Sequence, residues 1–217
     1  MSAAGKRLVD LVLAAMALLV AGPVMAVVAL LVLATMGRPV LFRQTRLGRH
    51  GRPFTILKFR SMATGGDGSD SDAARLTPLG RRLRDTSLDE LPSLWNVLRG
   101  DMSLVGPRPL PTQYRFRYTP EQFRRHLVRP GLTGLAQVNG RNGLGWDEKF
   151  EYDVWYVDHR TLPLDLRIMV RTAVTVLRRE GITAPGAATA HEFHGSARPA
   201  PSYASSWTAA AAGEQPR

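Results

Sequence analysis

The sequence predicts an α+β protein with an N-terminal re-entrant membrane helix hairpin, followed by a small mixed domain that holds a short β-hairpin and interfacial amphipathic helices. Three observations lead to this prediction: an uncharged apolar run at 11–36, an alternating strand pattern at 40–62, and short amphipathic patterns after it. With 217 residues, of which 44% are hydrophobic and 22% charged, the chain is long enough for one moderate domain and a membrane segment. We divide it at 1–39, 40–181 and 182–217.

The apolar run indicates a membrane-embedded helix, because it is longer than the ~20 residues that span a bilayer. A secretory signal is an alternative, but the run exceeds a normal signal core and no convincing small-x-small cleavage site precedes the basic domain. Lys6 and Arg7 lie before the run and several arginines follow it, so the positive-inside rule draws both ends toward the cytoplasm. Gly22-Pro23 would bend the helix so that it enters and leaves by one face, whereas a single span is the alternative. Asp10 is expected to pair with Arg7 or with a basic group of the domain.

The charge balance indicates a polyanionic partner. Lys and Arg number 29 against 18 Asp and Glu, which gives a net charge of +11. Nucleic acid, an anionic membrane surface and a phosphorylated substrate all fit this charge. The basic residues are dispersed and form no recognisable nucleic-acid-binding module, which argues against the first. The absence of cysteine excludes a disulfide framework and a thiolate metal site.

The central stretch 87–109 places two adjacent carboxylates, Asp89 and Glu90, at the mouth of a short helix. Apolar residues recur there at helical spacing and predict one buried face made of Leu91, Leu94, Trp95 and Leu98. Pro92 suits the first turn of a helix, so the carboxylates precede the helix. The alternative is a capping box, in which Glu90 reaches back to the amide of Ser87 and Asp89 only complements the helix dipole.

Cationic segments flank this stretch in the sequence. The predicted hairpin ends in Lys58-Phe59-Arg60-Ser61, which is either a solvated strand edge or a phosphate clamp. A short basic amphipathic turn at 79–84 brings Arg84 within five residues of Asp89. Residues 114–128 have the pattern of one amphipathic helix, either in the membrane interface or on an ordinary protein surface.

The last third of the chain gives fewer clear signals of structure and function. Turn residues at 129–134 precede a predicted strand at 136–141, and strand periodicity puts Gln137, Asn139 and Arg141 on one face, toward water or a binding cleft. A final helix is predicted at 164–179. Beyond it the chain is rich in Ala, Pro and Ser without periodicity, so we interpret 182–217 as a disordered tail.

Several short motifs, taken together and in order, resemble the bacterial sugar transferases, the small monotopic polyprenyl-phosphate phosphoglycosyl transferases that initiate glycan assembly. The resemblance covers about residues 6–179 and implies that the apolar segment is re-entrant. The family often has Ser-Pro where this chain has Gly22-Pro23. Besides the Pro-broken apolar run, the motifs are Lys6-Arg7-x-x-Asp10, Phe42-Arg43-Gln44-x-Arg46-x-Gly48, Lys58-Phe59-Arg60-Ser61-Met62, Ser87-Leu88-Asp89-Glu90-Leu91-Pro92, Gly106-Pro107-Arg108-Pro109 and Arg129-Pro130-Gly131-Leu132-Thr133-Gly134.

The resemblance implies an enzyme that moves a sugar-1-phosphate from a UDP-sugar to undecaprenyl phosphate and initiates membrane glycan or exopolysaccharide assembly. It implies a covalent course, in which Asp89 attacks the phosphate that bears the sugar and releases UMP, while Glu90 assists as a metal ligand or an acid/base group. Mg²⁺ is the implied cofactor, because Asp89 and Glu90 are ligands that this ion accepts. The candidate substrate-binding residues are Lys58, Arg60, Arg84, Pro107, Arg108, Pro109, Arg129, Gln137 and Arg141.

The expected partners are the UDP-sugar donor, the undecaprenyl phosphate acceptor and membrane lipid, with no nucleic acid; a homodimer is compatible with the sequence. The expected location is the bacterial inner membrane, with the catalytic domain on its cytoplasmic face. A membrane-tethered basic nucleic-acid-binding protein or scaffold protein is the alternative function. The sequence does not name the sugar.

Overall fold

The computed structural model describes residues 3–63, 72–140, 143–178 and 192–196. Helix α1 (Ala3–Met36) contains the whole apolar run, and its residues Ala4–Met36 are long and apolar enough to cross a membrane. Pro23 lies inside this continuous helix, so the predicted interruption at Gly22-Pro23 does not divide it into two elements. The elements that follow form a mixed α+β domain, as predicted.

Both ends of α1 are tied to this domain. Near the start of α1, the Arg7 guanidinium donates hydrogen bonds of 2.7 and 2.9 Å to the carbonyl oxygens of Val97 and Leu98, which lie in the last turn of helix α4 (Ser93–Arg99). Near its end, the carbonyl oxygen of Gly37 accepts a hydrogen bond of 2.7 Å from Arg60. Three residues between these ends, Ala14, Val28 and Val32, are at most 4% exposed. One face of α1 therefore joins the hydrophobic core, while most of its apolar side chains are exposed.

Asp10 is buried in this helix and has a different partner from the one expected. Its carboxylate accepts hydrogen bonds from the Ser103 hydroxyl (2.8 Å) and the Leu104 amide (3.2 Å). The Lys6 amine lies 3.7 Å from Asp10 and 2.6 Å from Asp165. The predicted pairing of Asp10 with Arg7 or with a basic group of the domain is wrong. Residues four apart share a helix face, so Lys6 is the partner, while Arg7 caps α4.

The predicted β-hairpin is confirmed. Strands β1 (Leu41–Leu47) and β2 (Pro53–Phe59) pair antiparallel, and the turn between them passes through His50 and Gly51, whose φ angles are 58° and 68°. In this register Phe42 lies opposite Lys58. Directly opposite residues point to the same face of a sheet, so these two side chains are neighbours.

The other edge of β2 is covered by side chains of α4. The Ser93 hydroxyl donates to the Leu57 carbonyl oxygen (2.6 Å), and Asn96 accepts from the Leu57 amide (3.1 Å) and donates to the Thr55 carbonyl oxygen (2.8 Å). This arrangement turns Trp95 outward, where it is 54% exposed. Its predicted place on the buried face is wrong, because the polar contacts to β2 fix the rotation of the helix.

A small pair of parallel strands packs against α4. Strand β3 (Ser103–Val105) pairs with β4 (Gly131–Thr133), and a Cβ at Gly131 would lie 2.1 Å from the Gly106 nitrogen. The predicted strand at 136–141 is wrong, because the chain turns into helix α6 (Leu135–Val138) once the pairing with β3 has ended. Helices α7 (Trp146–His159) and α8 (Leu162–Arg178) follow, and α8 confirms the predicted final helix.

Three shorter helices complete the domain: α2 (Asp72–Arg75), α3 (Pro78–Asp85) and α5 (Pro120–Phe123). Helix α3 confirms the predicted amphipathic turn at 79–84. The single helix predicted at 114–128 is wrong, since 3₁₀ turns at Thr112–Phe116 and Arg124–Leu127 flank α5. The reason is that Pro120 has no amide proton and cannot continue a helix; with Thr119 as its cap, it begins a new one.

Five residues beyond α8 are also ordered. Residues 192–196 pack on the domain, and Phe193 is 1% exposed among aromatic side chains. The disordered tail predicted at 182–217 lies otherwise outside the described residues, and the composition of the tail gives no sign of this buried aromatic side chain.

Candidate active site

The two adjacent carboxylates lie in a 3₁₀ turn at Leu88–Glu90, just before α4. Ser87, which precedes them, has a φ of 56°, an unusual backbone conformation for a residue with a side chain. No side-chain cap forms at Ser87. The Glu90 side chain instead points at cations, so the capping-box alternative is not what the structure shows. The carboxylates precede the helix, as predicted from Pro92.

Glu90 is held by two cations. The Lys58 amine and the Arg108 guanidinium donate hydrogen bonds of 2.6 and 2.7 Å to the same carboxylate oxygen, Oε1. Burial alone would raise the pKa of Glu90, but Arg108 and Lys58 outweigh it and hold that pKa well below its usual value. Glu90 therefore stays ionised at neutral pH.

Asp89 has the opposite environment. Its side chain is buried, and none of the described residues donates a hydrogen bond to it. Burial, followed by the neighbouring charge of Glu90, raises the pKa of Asp89 to about 6, although Lys58, Arg108 and Arg84 oppose the shift. The two adjacent acids are thus separated in pKa by their surroundings, a pattern typical of catalytic carboxylate pairs.

The cations of the site also have shifted pKa values. Burial lowers the pKa of Lys58, and Glu90 raises the pKa of Arg108. Arg46, a residue outside our candidate list, belongs to the same cluster of cations; burial and the charge of Arg108 lower its pKa to about 10. The signal that could have identified Arg46 is its place in the Phe42–Gly48 motif. Arg84 donates to the Ser61 hydroxyl (3.0 Å) at the end of the hairpin.

Arg46, Lys58, Glu90 and Arg108 meet at a small cavity of about 30 Å³ between the hairpin, the carboxylate turn and β4, whereas Asp89 and Arg84 do not line it. Pro109 lines it, and Pro107 lies on the other side of Arg108 in the chain. The cavity is lined by polar and cationic side chains, with Arg46, Lys58, Glu90, Ser93 and Arg108 on its wall.

Arg125, another residue absent from the candidate list, fixes the backbone at Arg108. The guanidinium of Arg125 donates to the Arg108 carbonyl oxygen (2.7 Å) and is itself paired with the buried Asp153 (2.7 Å). The Pro107 carbonyl oxygen accepts a hydrogen bond of 2.9 Å from the Gly131 amide. Sequence reasoning missed Arg125, since its partners are 17 and 28 residues away.

Five of the candidate substrate-binding residues that the structure describes do not line this cavity: Arg60, Arg84, Pro107, Arg129 and Gln137. Arg60 binds the carbonyl oxygens that follow α1, Arg129 donates to Gly100 (2.9 Å), and Gln137 donates to Leu132 (3.1 Å). Arg141 lies outside the described residues.

The fold and the site define a class of protein: a domain built around an apolar helix, with a buried pair of carboxylates among cations, suited to a phosphate-bearing substrate. The comparison with known proteins identifies the family within this class. Residues 1–179 match the bacterial sugar transferase family, and the chain belongs to it.

Three relatives illustrate the membership. An uncharacterized sugar transferase, EpsL, of Bacillus subtilis is 48% identical over 194 residues, covering 88% of this chain and 96% of the relative. An undecaprenyl-phosphate galactose phosphotransferase of Salmonella typhimurium is 40% identical, covering 81% of this chain and 41% of that protein. A UDP-glucose:undecaprenyl-phosphate glucose-1-phosphate transferase of Caulobacter vibrioides is 44% identical, covering 79% and 69%.

Proposed function

We propose that this protein transfers a sugar-1-phosphate from a UDP-sugar to undecaprenyl phosphate, releases UMP, and so initiates membrane glycan or exopolysaccharide assembly. The observation that carries the proposal is the contrast between the two acids: Asp89 is buried and free of hydrogen-bond donors among the described residues, whereas Glu90 is bound to Lys58 and Arg108. The relatives named for transfer to undecaprenyl phosphate support this choice of donor and acceptor.

We assign the role of nucleophile to Asp89. Its carboxylate oxygen forms a bond to the phosphorus that carries the sugar, and the bond from this phosphorus to the bridging oxygen breaks, so UMP leaves with that oxygen and the electron pair. A phosphate oxygen of the lipid acceptor then attacks the same phosphorus, and breakage of its bond to Asp89 restores the carboxylate. The two anionic substrates use the site one after the other, which avoids the repulsion of holding both phosphates there together.

The cations supply the electrostatic part of the reaction. A carboxylate that attacks a diphosphate meets a surplus of negative charge, which Arg46, Lys58 and Arg108 offset along the wall of the cavity. Because Glu90 stays ionised, we do not assign it the role of a proton donor. In this proposal it holds Lys58 and Arg108 in place and binds a metal ion.

We further propose that Mg²⁺ binds at this pair. The described residues contain no group of three or more His, Cys, Asp and Glu side chains that could form a complete metal cage. Mg²⁺ is commonly bound by one or two carboxylates together with substrate phosphates. Asp89 and the second oxygen of Glu90, Oε2, fit this donor set, since both lack hydrogen-bond donors among the described residues. When bound, the ion would neutralise charge on the diphosphate.

The membrane arrangement in this proposal is re-entrant. Because the two ends of α1 contact the same domain, we infer that α1 enters and leaves the membrane by one face, which we place at the cytoplasmic side of the inner membrane. A groove of about 760 Å³ beside the end of α1 includes Leu33, Val40 and Phe42 together with Arg38 and Arg43. Phe42 lies opposite Lys58, which pairs with Glu90, and on this adjacency we assign the groove to the isoprenoid chain of the acceptor.

The deciding experiment omits the lipid. With UDP-sugar and Mg²⁺ alone, the purified protein should release a burst of UMP equal to the enzyme concentration and carry a phosphosugar mass on the peptide that contains Asp89. D89N should show neither. If UMP appears only when undecaprenyl phosphate is added, and no adduct is trapped, direct transfer in a ternary complex replaces the covalent route. Failure to release UMP from any UDP-sugar, with or without the lipid, would refute the function itself.

A further inference from the structure

An aromatic pocket on the domain is filled by residues from beyond the family region. The pocket is formed by Tyr114, Tyr118, Trp146 and Phe150, and it encloses the Phe193 ring. Ring centroids lie 4.9 Å from Phe193 to Phe150 and 5.6 Å from Phe193 to Tyr114, both in edge-on geometry. Residues 192–196 follow the end of the family match at residue 179. This contact therefore lies beyond the residues that the family match covers.

Polar contacts bind the segment as a peptide ligand would be bound. The Phe193 amide donates to the Tyr114 hydroxyl (3.1 Å), and Arg117 donates to the Phe193 carbonyl oxygen and, at 2.7 Å, to the Glu192 carboxylate. Ser196 accepts a hydrogen bond of 2.6 Å from Gln122. The pocket and its surroundings thus contact an acidic side chain, an aromatic ring and the backbone between them. This combination of contacts makes the recognition specific.

The pocket is connected to the proposed donor site through two routes. Leu110, which packs in the same hydrophobic cluster as Phe193, is two residues from Arg108 in the chain. Tyr118 stacks on Phe193 and also contacts Arg125, whose guanidinium holds the Arg108 carbonyl oxygen. These contacts form a continuous path from the pocket to Arg108, the residue that pairs with Glu90.

We propose that residues 192–196 are a built-in peptide ligand of the aromatic pocket, and that their binding positions Arg108 for the phosphates of the donor. This inference rests on the proposed function for its effect on turnover, but not for the binding of the peptide. Phe193 is a positioning residue in this scheme, because it contacts neither the carboxylates nor the cavity. Any peptide with the same acidic and aromatic pair would compete for the pocket.

The test compares two variants within the docked segment of the full-length protein. F193A removes the buried ring, and H194A is its matched control, because the neighbouring His194 side chain is exposed. We expect F193A to raise KM for the UDP-sugar and Kd for UDP by about fivefold or more, the usual range of coupling between linked sites, and to leave kcat within about twofold. H194A should match the wild type in both constants.

A synthetic peptide with the sequence of residues 190–198, added to full-length F193A, should bind and restore KM; a peptide with Ala in place of Phe should do neither. If F193A lowers kcat by the same factor by which it raises KM, and the peptide restores neither, the segment has only a structural role and the proposal is wrong. So would an unchanged KM in folded F193A. Binding of a labelled peptide and of UDP needs no turnover, so these two readouts stay informative if the transferase function itself fails.

Discussion

Replacing Asp89 by Asn should stop transfer and, at neutral pH, stabilise the protein. The pKa of Asp89 is raised from 3.8 to about 6 by burial and by the charge of Glu90. The folded state therefore binds the proton more tightly than the unfolded chain does, and ionisation of Asp89 destabilises the fold. This destabilisation is fully present above about pH 6 and disappears below the unfolded value of 3.8.

The magnitude follows from the shift. Each pKa unit corresponds to about 1.4 kcal/mol, so about two units give an upper value of about 3 kcal/mol. The shift is shared with Glu90 and opposed by three cations, and we therefore expect D89N to gain about 1–3 kcal/mol at pH 8. For a chain of this size such a gain corresponds to an increase in Tm of about 3–9 °C.

The assay is thermal unfolding of wild-type protein and D89N in the same detergent, with a chelator to remove divalent cations, at pH 8 and pH 4. The gain in Tm should be present at pH 8 and close to zero at pH 4. A lower Tm for D89N at pH 8, or an equal gain at both pH values, would refute the electrostatic reasoning. Added Mg²⁺ should raise the Tm of the wild type more than that of D89N, if the ion binds at this pair.

The remaining predictions concern the same carboxylates and the membrane helix. E90Q should have the opposite effect from D89N and destabilise the fold by about 1–3 kcal/mol, measured by its Tm at pH 8, because the half-buried Lys58 and the partly exposed Arg108 lose a charged hydrogen-bond partner; a Tm equal to the wild type would contradict this. The rate of the UMP burst should fall below about pH 6 as Asp89 becomes protonated, with a midpoint that moves to lower pH as the Mg²⁺ concentration rises, because the cation favours the ionised carboxylate; a rate that depends on neither pH nor Mg²⁺ down to pH 4 would exclude Asp89 as the titrating nucleophile. The chain has no native cysteine, so A4C and T45C can be labelled singly; neither should react with a membrane-impermeant reagent added outside intact cells, and labelling of A4C alone would establish a single span.

Local sequence patterns were sufficient for the elements that bear the site. Alternation predicted the β1–β2 hairpin, and the preference of Pro92 for a helix start placed Asp89 and Glu90 before α4. Both signals depend on neighbours within a few residues. The hairpin and the carboxylate turn were therefore predictable without any tertiary information.

The parts that were not predicted depend on distant partners. The rotation of α4 is fixed by Asn96 binding β2, a contact that spans 39 and 41 residues, and this overrides the hydrophobic spacing that placed Trp95 inside. Gln137 belongs to a helix because β4 ends where its pairing with β3 ends. The position of Arg108 depends on Arg125 in the same way. The order of polar and apolar residues along the chain does not specify such long-range contacts.

The attachment of α1 to the rest of the domain has a consequence for biosynthesis. Lys6 is made well before its partner Asp165, which follows 159 residues later, and the partners of Arg7 and Asp10 follow after 90 or more residues. The N-terminal helix thus leaves the ribosome long before the residues that complete its packing exist. In the interval, lipid is the solvent that can shelter its apolar surface. The last stage of folding then takes place at the bilayer, as the newly made domain closes onto a helix that is already there.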